Sequence, residues 1–499
     1  MAKLTWIDGA TLVTLDADQT VIQEGDIWFD RDRIVAVGKK GSFTPEEGTK
    51  VTRVDGARRV VMPGLVNGHV HSYGALLKGS VDAVPLDVFM INAIAGAGKR
   101  SARDAYISAM LGAIEMVSTG TTGCLDHCSH RPAHTPDALD AICQAYADVG
   151  MRAAVAPMFS DLPFVETLPF EEDRPDTHKL GFLPSDPVPH DAYFEIVAEA
   201  VSRWKDNSLV TIMLGADSPQ RCSDALLRRA GAFCMDHGIG NHTHLLEART
   251  QWAMSKQRDP RGFVAYLAEC GLAGPLSSFA HFIWFTDEDL EHLVTAGTTV
   301  VHNPSSNLIL GSGVQPLLKL TEAGVPVAFG SDGLNAGNAV MFEKTRLAAL
   351  LHRVTETDSS RWLTAGPLLR MATVNGARLL GAEGQRGMLA VGQAADMVLL
   401  DQNALTMTPL GEPQTQLVHY ETGAGVADVY VAGEQVIADG KPTRVDREAI
   451  LEEAREIAAR LVTDSSDLLE KAAALHPDIL SMVKRVHAVD CGPCRIARL

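Results

Sequence analysis

Between residues 60 and 380 of this chain, short apolar runs alternate with helical segments, and they do so eight times. No other feature restricts the fold as much, because parallel strands need crossover connections and helices supply them outside the sheet. The strands are read at Val60–Ser72, Thr121–Cys128, Arg152–Ser160, Leu209–Ser218, Gly240–Glu247, Ser277–Trp284, Thr298–Asn307 and Val325–Gly333. Helical segments between them include Ala102–Ser118, Asp137–Val149, Ala192–Trp204, Asp224–Asp236 and Asp287–Ala296. The alternation predicts an α/β fold, a closed (β/α)8 or TIM barrel in preference to an open doubly wound sheet. A nucleotide-binding sheet would also need a glycine-rich loop after a strand, and none has the right form.

The flanks differ. Residues 1–59 read as short strands at Lys3–Ile7, Thr11–Thr14, Asp26–Phe29 and Arg33–Val37, broken by turn residues such as Asp8-Gly9 and Glu24-Gly25. That segment is too small to close its own core. Residues 385–445 return to strands at Ala395–Asp401, Asp428–Val431 and Gln435–Ala438. The expected organisation is therefore one small β-sandwich built from both ends of the chain around a barrel at 60–384, with a helical tail at 446–499. A helix pair, Arg361–Arg370 and Val374–Leu380, follows the eighth strand. Leu162–Pro189, rich in proline and acids, interrupts the alternation. It reads as a lid, an oligomer contact or a passive excursion at the loop end of the barrel.

A length of 499 residues suits a barrel of roughly 250 to 350 residues plus a second domain. The net charge of −18 opposes long-range attraction to nucleic acid or an anionic membrane. No apolar run is long enough for a bilayer, and Met1–Asp8 lacks the apolar core of a signal peptide, so a cytoplasmic protein is expected. The eight cysteines are scattered, which argues against a disulfide framework. Cys491-Gly-Pro-Cys494 has the spacing of a redox dithiol without the strand–helix unit around it. A disordered or metal-scavenging tail is the preferred reading.

The chemistry is written at the strand ends. The first strand closes with Asn67-Gly-His69-Val-His71. Residues two apart on a strand share a face, so His69 and His71 can reach one metal ion. The fifth strand ends His242-Thr-His244-Leu-Leu-Glu247, the sixth carries Ala280-His281, and the eighth ends Ser331-Asp332-Gly333. A barrel gathers these ends around one pocket. Three imidazoles and one carboxylate suit a divalent ion such as Zn²⁺ with a position left for water, whose pKa the ion lowers from about 15.7 towards 7. His242 has the parity of His244 and competes with it, and the His-Leu-Leu-Glu spacing favours His244. Taken singly, His281 is a satisfied buried histidine, Glu247 a helix N-terminal acid and Asp332 a turn residue. Their common order along the barrel favours chemistry.

These motifs resemble the amidohydrolase superfamily, and within it the branch of purine and pterin deaminases and s-triazine chlorohydrolases and aminohydrolases. The likeness lies in Pro63–His71, His244-Leu-Leu-Glu247, Ala280-His281, His302-Asn-Pro-Ser-Ser-Asn307 and Gly330-Ser-Asp-Gly333. Gly387–Asp401 resembles the family's return into its β domain. The resemblance implies that His69, His71, His244 and Asp332 bind one divalent metal, zinc first and iron second. It implies that Asp332 also accepts a proton from the metal-bound water. Glu247 would pass a proton to a ring nitrogen as hydroxide attacks the adjacent carbon, and His281 would hydrogen-bond the oxygen as charge develops. Two-metal relatives often use a lysine on the fourth strand, and Leu209–Ser218 has none, which implies one ion.

The expected activity is removal of an exocyclic amino or alkylamino group from a small N-heteroaromatic ring of purine, pterin or s-triazine type, by a homo-oligomer. Hydrolysis of a urea, carbamate or amide at the same site is the alternative. A non-catalytic binding protein on this scaffold would have no need of Glu247, His281 and Asp332 together. Asn307, Ser218, Gln220 and Trp284 are the candidates for touching substrate, while Asp126, His127 and His302 read as supporting residues. Many relatives carry Arg-Gly where this chain has Lys78-Gly79. Lysine is a point donor without the planar fork of arginine, so no particular relative's substrate transfers directly.

Overall fold

A computed structural model describes residues 3–80, 82–131, 133–175, 177 and 190–491. The chain opens with β1 (Lys3–Val13), β2 (Val21–Asp30), β3 (Arg33–Lys39), β4 (Lys50–Asp55) and β5 (Arg59–Pro63). The two short strands expected at Lys3–Ile7 and Thr11–Thr14 are one strand, β1, whose register against β2 shifts between Ile7 and Ala10 and again before Leu12. These bulges let β1 pair β4 with its first half and β5 with its second.

The barrel follows: β6 (Leu65–His71), β7 (Thr121–Asp126), β8 (Arg152–Val155), β9 (Met158–Phe159), β10 (Val210–Ile212), β11 (Leu214–Ala216), β12 (Asn241–Leu245), β13 (Ser277–His281), β14 (Thr299–His302), β15 (Val327–Phe329) and β16 (Asp332–Gly333). All are parallel, in two arcs ordered β10-β8-β7-β6-β16 and β15-β14-β13-β12-β11-β9. The third, fourth and eighth strands of the sequence reading are each broken, and their two halves belong to different arcs. The backbone N–H groups of Gly330 and Ser331 bridge the seam at the eighth strand, donating to His302 O at 2.9 Å and His69 O at 3.1 Å. Helices run outside. Ala102–Ser118 is closed by a Ser101–Asp104 capping box, which satisfies two end N–H groups reciprocally.

The return strands are β17 (Met397–Asp401), β18 (Val426–Val431), β19 (Glu434–Ala438) and β20 (Lys441–Pro442). β17 pairs β5, so the sheet runs β20-β19-β18-β17-β5-β1-β2-β3 and joins both chain ends. Its core mixes them: Ile7, Leu12, Ile27 and Val61 pack with Met397 and Leu399. The strand read as Val60–Ser72 is thus two strands in two sheets, and the sandwich extends to Pro63. Gly64 is the hinge, because a Cβ there would lie 2.0 Å from Thr122 Oγ1. The tail is one helix, Arg447–His487, capped by the Asp446 side chain and continuous through Pro477. Among the described residues, no helix is long and apolar enough to cross a membrane. Cys124, Cys128, Cys143, Cys222, Cys234 and Cys270 are free and buried, and Cys491 is free and half-buried. Cys494 lies outside the described residues.

Candidate active site

The C-terminal ends of β6, β12, β13 and β16 converge beneath an open pocket with a cavity volume of about 70 Å³. His71 Nδ1 donates to the carbonyl of His127 at 2.6 Å, and His244 Nδ1 to that of Asp217 at 2.5 Å. Both rings are thereby fixed with Nδ1 turned out to a carbonyl and Nε2 turned inward. The two Nε2 atoms face each other at 3.0 Å. Asp332 Oδ1 lies 3.2 Å from Nε2 of both His69 and His71. His69 Nδ1 rests 2.8 Å from His242 Nε2, and His242 Nδ1 lies 2.7 Å from Ser278 Oγ. His242 therefore backs His69, and His244 is the one aimed into the cluster.

The residues fit a divalent cation. Two imidazole acceptors 3.0 Å apart repel unless a positive charge lies between them. The nitrogen and carboxylate donors are those zinc-type ions take. Two overlapping sets could hold an ion, His69, His71, His127 and His244, and His69, His244, His281 and Asp332, each with ligand atoms within 4.8 Å. Burial pushes His244 down to about 4, with the neighbouring His71 adding to the effect, so the ring is neutral and free to ligate. Burial alone would also lower His71, but the Asp332 carboxylate holds it above the usual histidine value. A cation in the cluster would displace that proton.

Asp332 sits in a left-handed conformation, φ +67°, which turns its carboxylate inward. The close approach depends on Gly330, where a Cβ would fall 2.3 Å from Asn303 Oδ1. Burial would raise the Asp332 carboxyl, but hydrogen bonds to His69 and His71 hold it well below the usual range. Ser306 Oγ also donates to its Oδ2. Glu247 goes the other way: burial, then the Asp332 charge, pushes it well above the ordinary glutamate value. Ser312 Oγ donates to Glu247 Oε1 at 3.3 Å, and the Glu247 N–H donates to Gln251 Oε1 at 2.9 Å. His281 Nδ1 donates to Asn307 Oδ1 at 2.8 Å. Its Nε2 has no hydrogen-bond partner among the described residues and points between Glu247 Oε2 at 3.6 Å and Asp332 Oδ2 at 4.0 Å.

Ser218 and Gln220 line the pocket beside His71, His244, Glu247 and His281. Two other substrate candidates do not. Asn307 lies on the helix Pro304–Ile309, because Pro304 ends the seventh strand early, and its amide oxygen is committed to His281. Trp284 is buried, donates to Ser312 O at 2.7 Å, and borders a smaller neighbouring cavity. Lys78 pairs with Glu115 away from the pocket. Asp126 accepts from Ser72 N and Tyr146 Oη, bracing the strand ends.

The sequence reading missed Tyr73, Asp87, Phe89 and Thr250 on the pocket wall. Asp87 and Phe89 come from the helix Leu86–Gly96, which is apolar nearly all round and so lacks the periodic polar face that marks a helix. Pro85 just before it was the available signal. Burial raises Asp87 to about 6, and its Oδ2 accepts from Thr250 Oγ1 at 3.3 Å.

A model of the amidohydrolase family matches residues 60–436. The chain is 31% identical over 462 residues to a 5′-deoxyadenosine deaminase of Methanosarcina barkeri, covering 92% of this chain and 98% of that one. It is also 31% identical over 460 residues to a 5-methylthioadenosine/S-adenosylhomocysteine deaminase of Syntrophobacter fumaroxidans, again covering 92% and 98%. Its structure matches an adenosine deaminase from Xanthomonas campestris with bound zinc at TM-score 0.81 and 26% identity, over 92% of this chain and 98% of that one.

Proposed function

The chain belongs to the amidohydrolase family, and from that premise we propose that it removes the exocyclic amino group from an adenine-ring nucleoside. The observation that carries this reading is two buried carboxyls facing one imidazole cluster, Glu247 pushed well above its ordinary value by burial and Asp332 held well below its own by hydrogen bonds to His69 and His71. Groups driven apart in this way take the acid and base roles of a hydrolysis.

His69, His71, His244 and Asp332 would hold one divalent ion, zinc in the first instance. Bound there, the ion supplies hydroxide at neutral pH by lowering the pKa of water from about 15.7 towards 7. The protein's own groups do the rest. Glu247, pushed well above the ordinary glutamate value by burial, gives a proton to the ring nitrogen beside the attacked carbon. Asp332, kept ionised, takes up the proton released by the nucleophile and would return it to the exocyclic nitrogen, which leaves as ammonia when the C–N bond breaks. His281 has its Nδ1–H committed to Asn307, so Nε2 donates to a developing negative charge only as imidazolium. Burial lowers the His281 imidazole below its ordinary value, and the Asp332 charge pulls it back towards that form. Each transfer of this kind contributes roughly 10²–10⁴-fold. Leu86, Phe89, Met90 and Leu310 give the pocket an apolar wall. It suits a nucleoside whose 5′ position carries hydrogen or a thioether rather than a hydroxyl.

The test is ammonia release from 5′-deoxyadenosine, methylthioadenosine, S-adenosylhomocysteine and adenosine, with guanine, an amino-s-triazine and a phenylurea beside them. Release from the adenine nucleosides, strongest for those without a 5′-hydroxyl, is expected. Turnover of the triazine or the urea alone would refute the proposal.

A further inference from the structure

The acid–base site gives no role to the 41-residue terminal helix Arg447–His487, yet this element reaches the outer wall of the pocket. The wall there is the segment that follows β9. Its Phe164 and Leu168 line the pocket. The same two side chains belong to a satellite core with Val88 and Ile91 of the helix Leu86–Gly96 and Leu475 and Ile479 of the terminal helix. The segment from Ser160 to Pro175 contains two single 3-10 turns, Phe164–Thr167 and Glu171–Asp173, and no strand. Its far end therefore has no sheet ladder to hold it.

Phe170 packs against the satellite core, and Arg485 grips the turn from the other side. Its Nη1 lies 2.6 Å from Asp173 Oδ2 and 2.8 Å from Glu172 Oε1. Its guanidinium stands 4.0 Å from the centre of the Phe170 ring. Phe170 has φ +61°, a left-handed conformation that bulky side chains rarely adopt. Such a turn persists only when its surroundings over-determine it. Within the segment, Arg174 Nε donates to Leu168 O at 2.8 Å, which ties the turn back to the pocket-lining residue. A continuous path thus runs from the terminal helix through Arg485, the Phe170–Asp173 turn and Arg174 to Leu168.

We propose that Arg485 is a positioning residue for the substrate pocket: it clasps the Phe170–Asp173 turn to the terminal helix and so holds Phe164 and Leu168 against bound substrate. The clasp touches none of the reacting groups, so its loss acts on substrate binding and leaves the chemical step alone. Arg485 and Glu172 are largely solvent-facing, at 47% and 63% side-chain exposure, so salt screens the ionic part of the clasp. The inference rests on the proposed adenine-nucleoside reading only for the choice of substrate.

The full-length, metal-loaded protein is compared with Arg485→Ala and Arg485→Lys by hydrogen–deuterium exchange and by steady-state kinetics with 5′-deoxyadenosine. In Arg485→Ala, exchange across 162–175 is expected to rise about tenfold while the barrel strands stay unchanged. KM is expected to rise about three- to tenfold with kcat within about twofold of wild type. Arg485→Lys keeps the charge and loses the planar fork and stack, so it falls between the two. Unchanged exchange and KM in Arg485→Ala would overturn the proposal. So would loosening of the whole barrel with kcat and stability falling together, which would make Arg485 a general stabiliser. The exchange experiment needs no substrate. A wild type that turns over no adenine nucleoside would sink the substrate reading, and exchange would still decide the clasp.

Discussion

Asp332 and Glu247 open on the same pocket, and their surroundings drive them in opposite directions. Hydrogen bonds from two imidazoles hold the first well below its ordinary value, whereas burial pushes the second well above its own. Replacing Asp332 with alanine removes a proposed ligand and the carboxylate 3.2 Å from both His69 and His71, so the variant is expected to purify with little or no metal. Elemental analysis at full occupancy of the wild type checks this. Asp87 gives a prediction about stability. Burial raises it to about 6, so it binds its proton more tightly folded than unfolded. It favours the fold below about pH 4, and that contribution is lost as pH rises through about 6. Asp87→Asn is therefore expected to be more stable than wild type by about 3 kcal/mol at pH 8 and no more stable at pH 4. Urea midpoints at the two pH values test it, and equal differences at both would contradict it. At this scale much could be read beforehand. His69, His71, His244, Glu247, His281 and Asp332 stand at strand ends with characteristic spacings. Asp87, Tyr73 and Thr250 carry no such pattern, because they reach the pocket from elements whose orientation only the packed barrel sets.

The elements explain why Asn307 looked like a substrate contact. The run Thr298–Asn307 begins as a strand, and Val300 and Val301 made the whole run read that way. Pro304 occupies the first turn of a helix instead. This swings Asn307 behind His281, where its amide oxygen fixes the imidazole. Asn307→Ala should lower kcat by about tenfold with little change in KM, since it disturbs the orientation of a proton-carrying group and not the substrate wall. A rise in KM with kcat intact would return Asn307 to the substrate side. The broken third, fourth and eighth strands were not legible either. A break needs only one or two residues, such as Ala156-Pro157 or Gly330-Ser331, within a run that stays apolar. Pro157 lacks the N–H a ladder needs, which accounts for the first break.

For the whole molecule, the barrel and the sandwich are joined by a buried ion pair. Arg152 on β8 donates through Nε and Nη2 to Asp396 at 2.7 and 3.0 Å, and Asp396 also accepts from Ala432 N at 2.7 Å. Cutting one partner leaves a buried charge unpaired, so Asp396→Ala should cost about 3–5 kcal/mol. A loss under 1 kcal/mol in urea unfolding would show that the joint is held by apolar packing instead. That both chain ends share a sheet could be read from composition, since neither stretch of strands closes a core alone. The position of the terminal helix against the pocket could not, because an amphipathic pattern names the buried face of a helix and not its neighbour.

In the proposed reaction, one cation and one buried acid act together at the end of the barrel. The most direct measurement takes wild type and Glu247→Gln through metal analysis and ammonia release on the same samples. The expected result is one divalent ion per chain in both, with turnover reduced at least about a hundredfold in Glu247→Gln. Turnover of Glu247→Gln within about tenfold of wild type, or two ions per chain, would contradict it.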